Sequence, residues 1–146
     1  MQKDDRLIYL ISRAQHGLMT YLKKELNADG TNITPAQAGI LFLLRKTART
    51  MTDLSQTLSI DNSAITGLVD RLEKSGLAER TANPADRRTF FIRITDKGRD
   101  EIDRAHVIIK KVNQEIKSGF SADEVETFKR VLNSLLEKFE KKTKPS

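Results

Sequence analysis

Apolar residues recur at steps of three and four along most of the chain, which is the spacing of amphipathic helices. The first such stripe consists of Leu7, Leu10, Ile11, Ala14, Leu18, Leu22 and Leu26. Turn-forming residues at 27–32 end this helix. Thr34, Pro35 and Gln37 then have the pattern of a capping box with a proline in the first turn. Residues 40–44 are all apolar, so we expect the second helix to be buried at the centre of the domain.

Two shorter helices follow. Thr50 is the expected cap of the third helix, on which Leu54 and Leu58 face inward. After a tight turn at 59–61, Asp61 or Asn62 caps a fourth helix that stops near Gly76. Its apolar stripe consists of Ile65, Leu68, Val69 and Leu72. A short helix, a three-residue turn and a second amphipathic helix together predict a helix-turn-helix.

Beyond Gly76 the apolar repeat shortens from about 3.6 residues to about 2, which predicts strands at 77–81 and 89–94. Phe90, Ile92 and Ile94 then share one face of the second strand. Residues 82–88, between the strands, contain an asparagine and a proline, which are typical of turns. We therefore expect a β-hairpin with a basic tip.

Two long helices close the chain. Thr95 is the expected cap of the fifth helix, and residues 121–124 have the pattern of a capping box for the sixth. Their apolar residues alternate at steps of three and four, as in a coiled-coil seam. These residues are Ile102, Ala105, Ile109, Val112 and Ile116, followed by Val125, Phe128, Leu132, Leu135 and Phe139. Residues 141–146 read as a basic tail. The whole pattern predicts a mainly α fold with a small β-hairpin wing (α+β), with six helices in a single domain over 1–146.

Composition narrows the classes of function. The 146 residues carry 26 Lys and Arg against 20 Asp and Glu, and the formal charge of +6 only weakly favours a polyanionic partner. Because there is no cysteine, the chain has no disulfide, thiolate metal site or thiol nucleophile. His16 and His106 are the only histidines, and neither has metal-ligand spacing around it.

No sequence motif of catalysis or of membrane insertion is present. The chain lacks a Gly-rich phosphate loop, a nucleophile elbow and a paired-histidine site, so we expect neither an enzyme nor a cofactor or metal. No window approaches the ~20 apolar residues that a membrane-spanning helix needs. The charged N-terminus does not resemble a targeting segment. We therefore expect a cytoplasmic protein without a membrane partner.

The start of the fourth helix is the candidate surface for reading DNA bases. In a helix-turn-helix, the second helix enters the major groove with its first residues at the base edges. Here the residues on the side away from the apolar stripe are small or hydrogen-bonding, namely Asn62, Ser63, Ala64, Thr66 and Gly67. Helix pairs of this kind also occur in proteins that do not bind DNA, so the helix pair alone leaves both interpretations open.

The hairpin strengthens the DNA-binding interpretation. Two strands directly after a helix-turn-helix form a wing, and its tip carries Arg87 and Arg88, whose guanidinium groups suit a narrow minor groove. Asp86 beside them is interpreted as a carboxylate that orients a guanidinium through a charge-assisted hydrogen bond. The alternative is an ordinary solvated turn. Residues 80–99 hold six basic and two acidic side chains, a local surplus of four positive charges.

Two motifs resemble those of the MarR family. Residues 62–80, NSAITGLVDRLEKSGLAER, look like its recognition helix and first wing strand. Asp86-Arg87-Arg88, followed by Ile94-Thr95-Asp96-Lys97-Gly98, resembles its wing pattern of Asp-x-Arg and then Leu-Thr-x-x-Gly, with Ile94 where leucine is usual. The resemblance extends over essentially the whole chain. It implies a homodimeric winged-helix transcriptional regulator that binds double-stranded DNA.

The resemblance also implies roles for segments and residues. Residues 1–33 and 101–146 correspond to the dimerisation helices, and 34–100 to the winged helix-turn-helix lobe, with the wing at 77–95. Arg88 matches the arginine that enters the minor groove, Asp86 its acidic support, and Arg87 a phosphate contact. Asn62, Ser63, Thr66 and Gly67 match the stretch in the major groove. Arg71 matches a position that makes an ion pair or a phosphate contact.

Members of the family typically bind a small anionic or aromatic molecule between the dimer platform and the winged lobe. Without a cysteine, the peroxide-sensing mechanism is excluded, and the zinc-sensing one lacks its ligand cluster. Arg13, His16 and Phe42 are candidates for an effector pocket, with core or surface packing as the alternative. We therefore expect a homodimeric repressor that a small ligand releases from a pseudo-palindromic operator. Two alternatives stay open: a winged-helix protein-interaction module and an architectural DNA-binding module without sequence preference.

Overall fold

A computed structural model describes residues 4–143, with side chains up to residue 140. Over that range the chain forms six helices and three strands. In chain order they are α1 (Leu7–Ala28), α2 (Pro35–Lys46), β1 (Arg49–Thr50), α3 (Met51–Leu58), α4 (Asn62–Lys74), β2 (Ala78–Ala82), β3 (Phe90–Ile94), α5 (Asp96–Lys117) and α6 (Ala122–Thr143). The mainly α fold with a β-hairpin wing is confirmed. The end of the predicted basic tail, residues 144–146, lies outside the described residues.

The chain divides into two compact units, and the division falls inside α5 between Ile109 and Lys110. The first unit contains α1 to α4, the three strands and the first half of α5. Its core is formed by side chains of which 2% or less is exposed: Leu26, Ile40, Leu41, Leu44, Leu54, Ile65, Val69, Leu72, Ile92 and Ile102. The second unit contains the rest of α5 and α6.

Short-range capping signals fix the helix ends where the sequence predicts them. Thr34 accepts from the backbone N–H of Gln37, and the Gln37 side chain accepts from the backbone N–H of Thr34 in return. The Thr50 hydroxyl caps α3 by accepting from the backbone N–H of Asp53 at 3.1 Å. Just after the C-terminal end of α4, Gly76 has φ +74°, a conformation in which a side chain with a Cβ would be strained. The caps therefore set the length of each short helix in the lobe.

The three strands form one antiparallel sheet in the order β1-β3-β2. β2 and β3 are the predicted hairpin, with Ala78 opposite Ile94. A hydrogen bond of 3.1 Å from the backbone N–H of Thr95 to the carbonyl of Leu77 closes the base of the hairpin. β1 was not predicted from the sequence, because two residues are too short to show an alternating pattern. It pairs with β3 directly before α3.

Several apolar residues are more exposed than the sequence indicated. Phe42 is 40% exposed, although residues 40–44 are all apolar, because a helix of this length packs only one side against the core. Phe90 is 49% exposed at the start of β3, beyond the covered part of the sheet. Of the predicted stripe on α1, only Leu22 and Leu26 are buried. In the second unit, the exposed apolar residues of α6 are Phe128, Val131, Leu132, Leu136 and Phe139.

Candidate nucleic-acid interface

The first two turns of α4 present polar side chains to solvent. Ile65, Val69 and Leu72 are buried on one side of the helix, which leaves the opposite side exposed. Asn62, Ser63 and Thr66 lie on this exposed side. At Gly67 a Cβ would meet nothing within 4 Å, so the helix surface is open there. The structure therefore brings the four predicted base-reading residues together on one accessible surface.

Hydrogen bonds fix the side chains at the start of α4. Oδ1 of Asp61 accepts from the backbone N–H of Ala64 at 2.8 Å and from the Ser63 hydroxyl at 2.8 Å. The Ala64 N–H, and after it the Ser63 hydroxyl, hold the pKa of Asp61 below its ordinary value. The Thr66 hydroxyl donates to the carbonyl of Asn62 at 2.9 Å. Both hydroxyl groups are therefore held in place while their outer sides face solvent.

Arg71 lies one turn further along α4 and is exposed. Within residues 4–143 its guanidinium makes no ion pair. The resemblance implied either an ion pair or a phosphate contact for Arg71. Among the described residues no carboxylate pairs with it, so the phosphate contact is the role that stays as a prediction.

The turn at the tip of the wing is held by its own side chains. Asn83 donates from Nδ2 to the Thr89 hydroxyl at 2.9 Å, and its Oδ1 accepts from the backbone N–H of Ala85 at 3.0 Å. Oδ1 of Asp86 accepts from the backbone N–H of Arg88 at 3.0 Å and from Nε of Arg88 at 3.3 Å. The carboxylate thus orients the Arg88 guanidinium, while 91% of that side chain stays exposed. Arg87 beside it is exposed as well.

An ion-pair cluster joins the wing to α4. Arg80 on β2 lies with Nη2 2.8 Å from Oδ1 of Asp70 and with Nη1 3.0 Å from Oε1 of Glu73. The sequence gives no local signal for this pairing, although Asp70, Glu73 and Arg80 all lie within residues 62–80. Arg93 on β3 pairs with Glu79 at 3.4 Å. Part of the local positive surplus over 80–99 is therefore balanced by nearby carboxylates, whereas the Arg88 side chain at the wing tip stays 91% exposed against 59% for Arg93.

The start of α5 caps the end of α4. The Thr95 hydroxyl donates to the carbonyl of Gly76 at 2.6 Å, and Lys97 Nζ donates to the carbonyl of Ser75 at 2.9 Å. The backbone N–H of Gly98 donates to the Thr95 hydroxyl at 3.0 Å, so Thr95 is the predicted cap of α5. A Cβ on Gly98 would overlap the backbone of Leu77 and lie 2.7 Å from Cγ1 of Ile94. The Thr-x-x-Gly part of the wing motif is thus explained by close packing between α5 and the base of the wing.

The candidate effector residues are not brought together by contacts in this structure. Arg13 and His16 lie exposed on α1, and neither side chain makes a hydrogen bond, ion pair or ring contact with the side chains and backbone described over residues 4–140. Phe42 stacks on His106 with ring centroids 5.7 Å apart, and Lys46 Nζ lies 5.2 Å from the Phe42 ring centroid. On α6, an open polar surface is formed by Glu126, Lys129, Arg130, Asn133, Ser134 and Glu137.

Two negative findings apply to the described part of the chain. Its His, Asp and Glu side chains form no group of three that could hold a metal ion. None of the helices within residues 4–143 is long and apolar enough to cross a membrane.

Comparisons with known proteins agree with this geometry. The profile of the MarR family matches residues 31–89, from the loop before α2 to the turn of the wing. The multiple antibiotic resistance protein MarR of Escherichia coli K12 is 31% identical over 133 residues, which cover 90% of this chain and 89% of the relative.

Solved structures of related proteins have the same fold. A mutant of Escherichia coli MarR in complex with operator DNA superposes with a TM-score of 0.81 at 30% identity, covering 89% of this chain and 93% of the other. CouR of Rhodococcus jostii RHA1, bound to p-coumaroyl-CoA, gives a TM-score of 0.78 at 28% identity, covering 90% and 92%. On its sequence, its winged lobe and these relatives, the chain belongs to the MarR family of winged helix-turn-helix transcriptional regulators.

Proposed function

We propose that this chain is a homodimeric repressor that binds a pseudo-palindromic operator through two winged lobes and releases it when a small ligand binds. The observation that carries the proposal is the arrangement of Arg88. Its guanidinium is 91% exposed, is oriented by Asp86, and stands at the tip of a hairpin that Arg80 joins to α4. An exposed, oriented arginine on a narrow projection suits the negative potential of a narrow minor groove.

The major groove is assigned to the first two turns of α4. Asn62, Ser63, Thr66 and Gly67 face the base edges in this assignment, because the buried stripe on the opposite side attaches the helix to the lobe. Arg71 and Arg87 are exposed cations flanking these surfaces and contact phosphates. Such contacts set affinity and orientation, whereas the α4 side chains set sequence preference.

Dimerisation is supported by apolar surfaces that the single chain leaves uncovered. On α6, Phe128 is 54% exposed and Leu136 is 52% exposed; on the first turns of α1, Leu7 is 75% exposed. Large apolar side chains exposed in such numbers are typical of interaction sites in soluble proteins. A second copy of the chain covers these faces in our proposal. Two-fold symmetry then places the half-sites about one helical turn of DNA, roughly 34–36 Å, apart.

Effector binding is supported by a relative, since CouR was solved with p-coumaroyl-CoA bound. We assign a phenolic or anionic ligand to the surface near Arg13, His16 and Phe42, where a cation and aromatic rings are available. Salicylate serves as the probe and is titrated to millimolar levels against the operator complex in a gel-shift assay. Release of the DNA supports the assignment, and a complex that persists at every concentration contradicts it.

Selection of duplexes from a random double-stranded library by the 146-residue chain tests the function as a whole. Enrichment of an inverted repeat with half-sites one turn apart is the expected result. Strongly salt-dependent binding without an enriched sequence would indicate an architectural DNA-binding module instead. An absence of duplex binding at low salt would indicate a protein-interaction module that acts without DNA. In our proposal the protein works on the nucleoid of the cell, where its operators are.

A further inference from the structure

Hydrogen bonds within the protein fix the direction in which the Ser63 and Thr66 hydroxyl protons point. Ser63 Oγ lies 2.8 Å from Oδ1 of Asp61, and a carboxylate can only accept, so the Ser63 proton points at Asp61. Thr66 Oγ1 lies 2.9 Å from the carbonyl oxygen of Asn62, which also can only accept. Each hydroxyl has a single proton. The outer side of both oxygens therefore carries lone pairs alone.

A hydroxyl in this state discriminates between the groups on a base edge. In the major groove, the donors are the exocyclic amino groups of adenine and cytosine. The acceptors are guanine N7 and O6, adenine N7 and thymine O4. A lone pair that faces a donor forms a hydrogen bond, whereas one that faces an acceptor leaves both groups desolvated and unpaired. To act as donors, Ser63 and Thr66 would first have to break their bonds inside the protein.

The same argument separates base reading from phosphate binding. Phosphate oxygens are acceptors, so these two hydroxyls cannot serve them without giving up Asp61 or the Asn62 carbonyl. The bond from Ser63 to the Asp61 carboxylate is charge-assisted, which makes it the harder of the two to break. Positioning on the DNA backbone is left to other side chains.

The surrounding residues favour amino groups as well. From Ser59 to Asp70 the chain contains no lysine or arginine, which are the residues that commonly read guanine. Among residues 4–143 the Asn62 side chain has no hydrogen-bond partner, and a free amide suits the N6 and N7 edge of adenine. No side chain on these two turns therefore supplies a cationic donor to a base acceptor.

We propose that Ser63 and Thr66 determine operator sequence by accepting hydrogen bonds from exocyclic amino groups, adenine N6 or cytosine N4. This inference rests on the proposed function, because it requires α4 to lie in the major groove. It names the chemical groups of the operator that this surface recognises.

The test combines protein and base substitutions. Ser63→Ala and Thr66→Val remove the accepting oxygens. Duplex selection with each variant then shows one base pair at which the wild-type preference is lost, and this is the base pair that the replaced residue reads. At that pair the amino group is deleted by placing purine for adenine or 2-pyrimidinone for cytosine. In a second duplex the acceptor is deleted by 7-deazaadenine or 7-deazaguanine. Because both proteins meet the same altered duplex, any change in the duplex itself cancels in the comparison.

Deletion of the amino group is expected to weaken wild-type binding about threefold to tenfold, the value of one hydrogen bond, and to leave the matching variant unchanged. Deletion of N7 is expected to affect the wild type and the variant equally. Thr127→Val, an exposed threonine on α6, is the matched control and should keep the wild-type response.

Three outcomes separate the possible failures. The inference would be overturned if deleting the amino group weakened binding equally for wild type and variant, while deleting N7 weakened binding by the wild type alone. The proposed function would stay intact in that case. The same holds if Ser63→Ala and Thr66→Val select the wild-type sequence with unchanged preference. If the wild-type chain enriches no sequence at all, the proposed function itself is wrong.

Discussion

Nη2 of Arg80 on β2 donates to Oδ1 of Asp70 on α4 at 2.8 Å, and Nη1 of the same guanidinium reaches Glu73 at 3.0 Å. One side chain on the wing thus holds two carboxylates that lie three residues apart on α4. Since Asp86 and Arg88 lie at the other end of the hairpin, the position of the wing tip relative to Ser63 and Thr66 depends on this cluster. In the proposed complex, it sets the reach from the major groove to the adjacent minor groove.

Replacing Arg80 is therefore expected to weaken operator binding more than it weakens the fold. Arg80→Met keeps the apolar stem, and we expect a loss of about 1 kcal/mol or less in unfolding free energy, because the pairs are partly exposed. Operator affinity should fall about threefold to tenfold. Urea unfolding and binding titration measure the two effects. Arg93→Met, which removes the pair with Glu79 on the same hairpin, is the control, and equal losses for both variants would indicate a simple effect of charge.

Gly98→Ala is expected to destabilise the lobe by about 1–3 kcal/mol, because the new methyl group would overlap the backbone of Leu77. Gly17→Ala is the matched control. Gly17 lies inside α1 with nothing within 4 Å of the added Cβ, so there the same substitution should raise stability by about 0.5–1 kcal/mol. Thermal and urea unfolding of both variants would show effects of opposite sign. A Gly98 variant as stable as the wild type would disprove the close packing.

Asp86 offers a test in which charge and geometry predict opposite results. Asp86→Ala removes the negative charge next to Arg88 together with the oxygen that accepts from it, so a wing that only collects positive charge would bind DNA more tightly. If Asp86 orients the guanidinium, operator affinity should fall about threefold to tenfold instead.

Arg88→Ala should weaken binding and reduce the slope of log affinity against log salt by about one per wing. Arg130→Ala, an exposed arginine on α6, is the control and should leave the slope unchanged. Wild-type affinity and slope for Arg88→Ala would count against the wing assignment.

Asp61 is expected to stabilise the lobe at neutral pH and to lose this effect as the solution becomes acidic. Its pKa is lowered in the folded chain, chiefly by the Ala64 N–H, so the ionised form is favoured by folding. Its contribution is fully present above the unfolded-state pKa and is lost as the pH falls through the lower folded-state pKa. Asp61→Asn keeps a capping side chain without the charge. The gap in melting temperature between wild type and Asp61→Asn should therefore be present at pH 7 and close toward pH 3; a constant gap would contradict this.

The apolar face of α6 is expected to hold two copies of the chain together. Leu132→Glu combined with Leu136→Glu places charges at positions that are 40% and 52% exposed in the single chain. Sedimentation velocity should show a dimer for the wild type and a monomer for the double variant, since buried unpaired charges are costly. Unchanged helical circular dichroism would confirm that the variant is folded. A double variant that stays dimeric at micromolar concentration would place the dimer interface elsewhere.

Local signals in the sequence were sufficient to predict most of the helices and strands of the first unit. The capping pairs at Thr34 and Gln37, the turn before Asp61 and the glycine at 76 each act over four residues or fewer, so they can be recognised without knowledge of the fold. The wing motif likewise led to the bond between Asp86 and Arg88.

Features that depend on distant packing were missed. β1 is too short to show a repeat, and it exists because β3 offers it a partner. Arg80 was counted as free positive charge, because its pairing with Asp70 across ten residues requires β2 to turn back along α4. Phe42 was expected to be buried, because the sequence does not show how much of α2 its neighbours cover. The sequence does not show what lies near Arg13 and His16 either, and their role as effector residues stays a prediction.

The hydrogen bond from Thr95 to Leu77 holds the two ends of the wing side by side. Between Ala82 and Phe90 the chain leaves the sheet and returns to it, so this loop can be exchanged while Ile92 stays in the core and Arg80 keeps its ion pairs with α4. Lengthening or shortening it by whole residue pairs would alter how far its arginine extends without shifting α4 or α5. In the proposed complex, exchanging this single loop would adapt the lobe to DNA grooves of different depth.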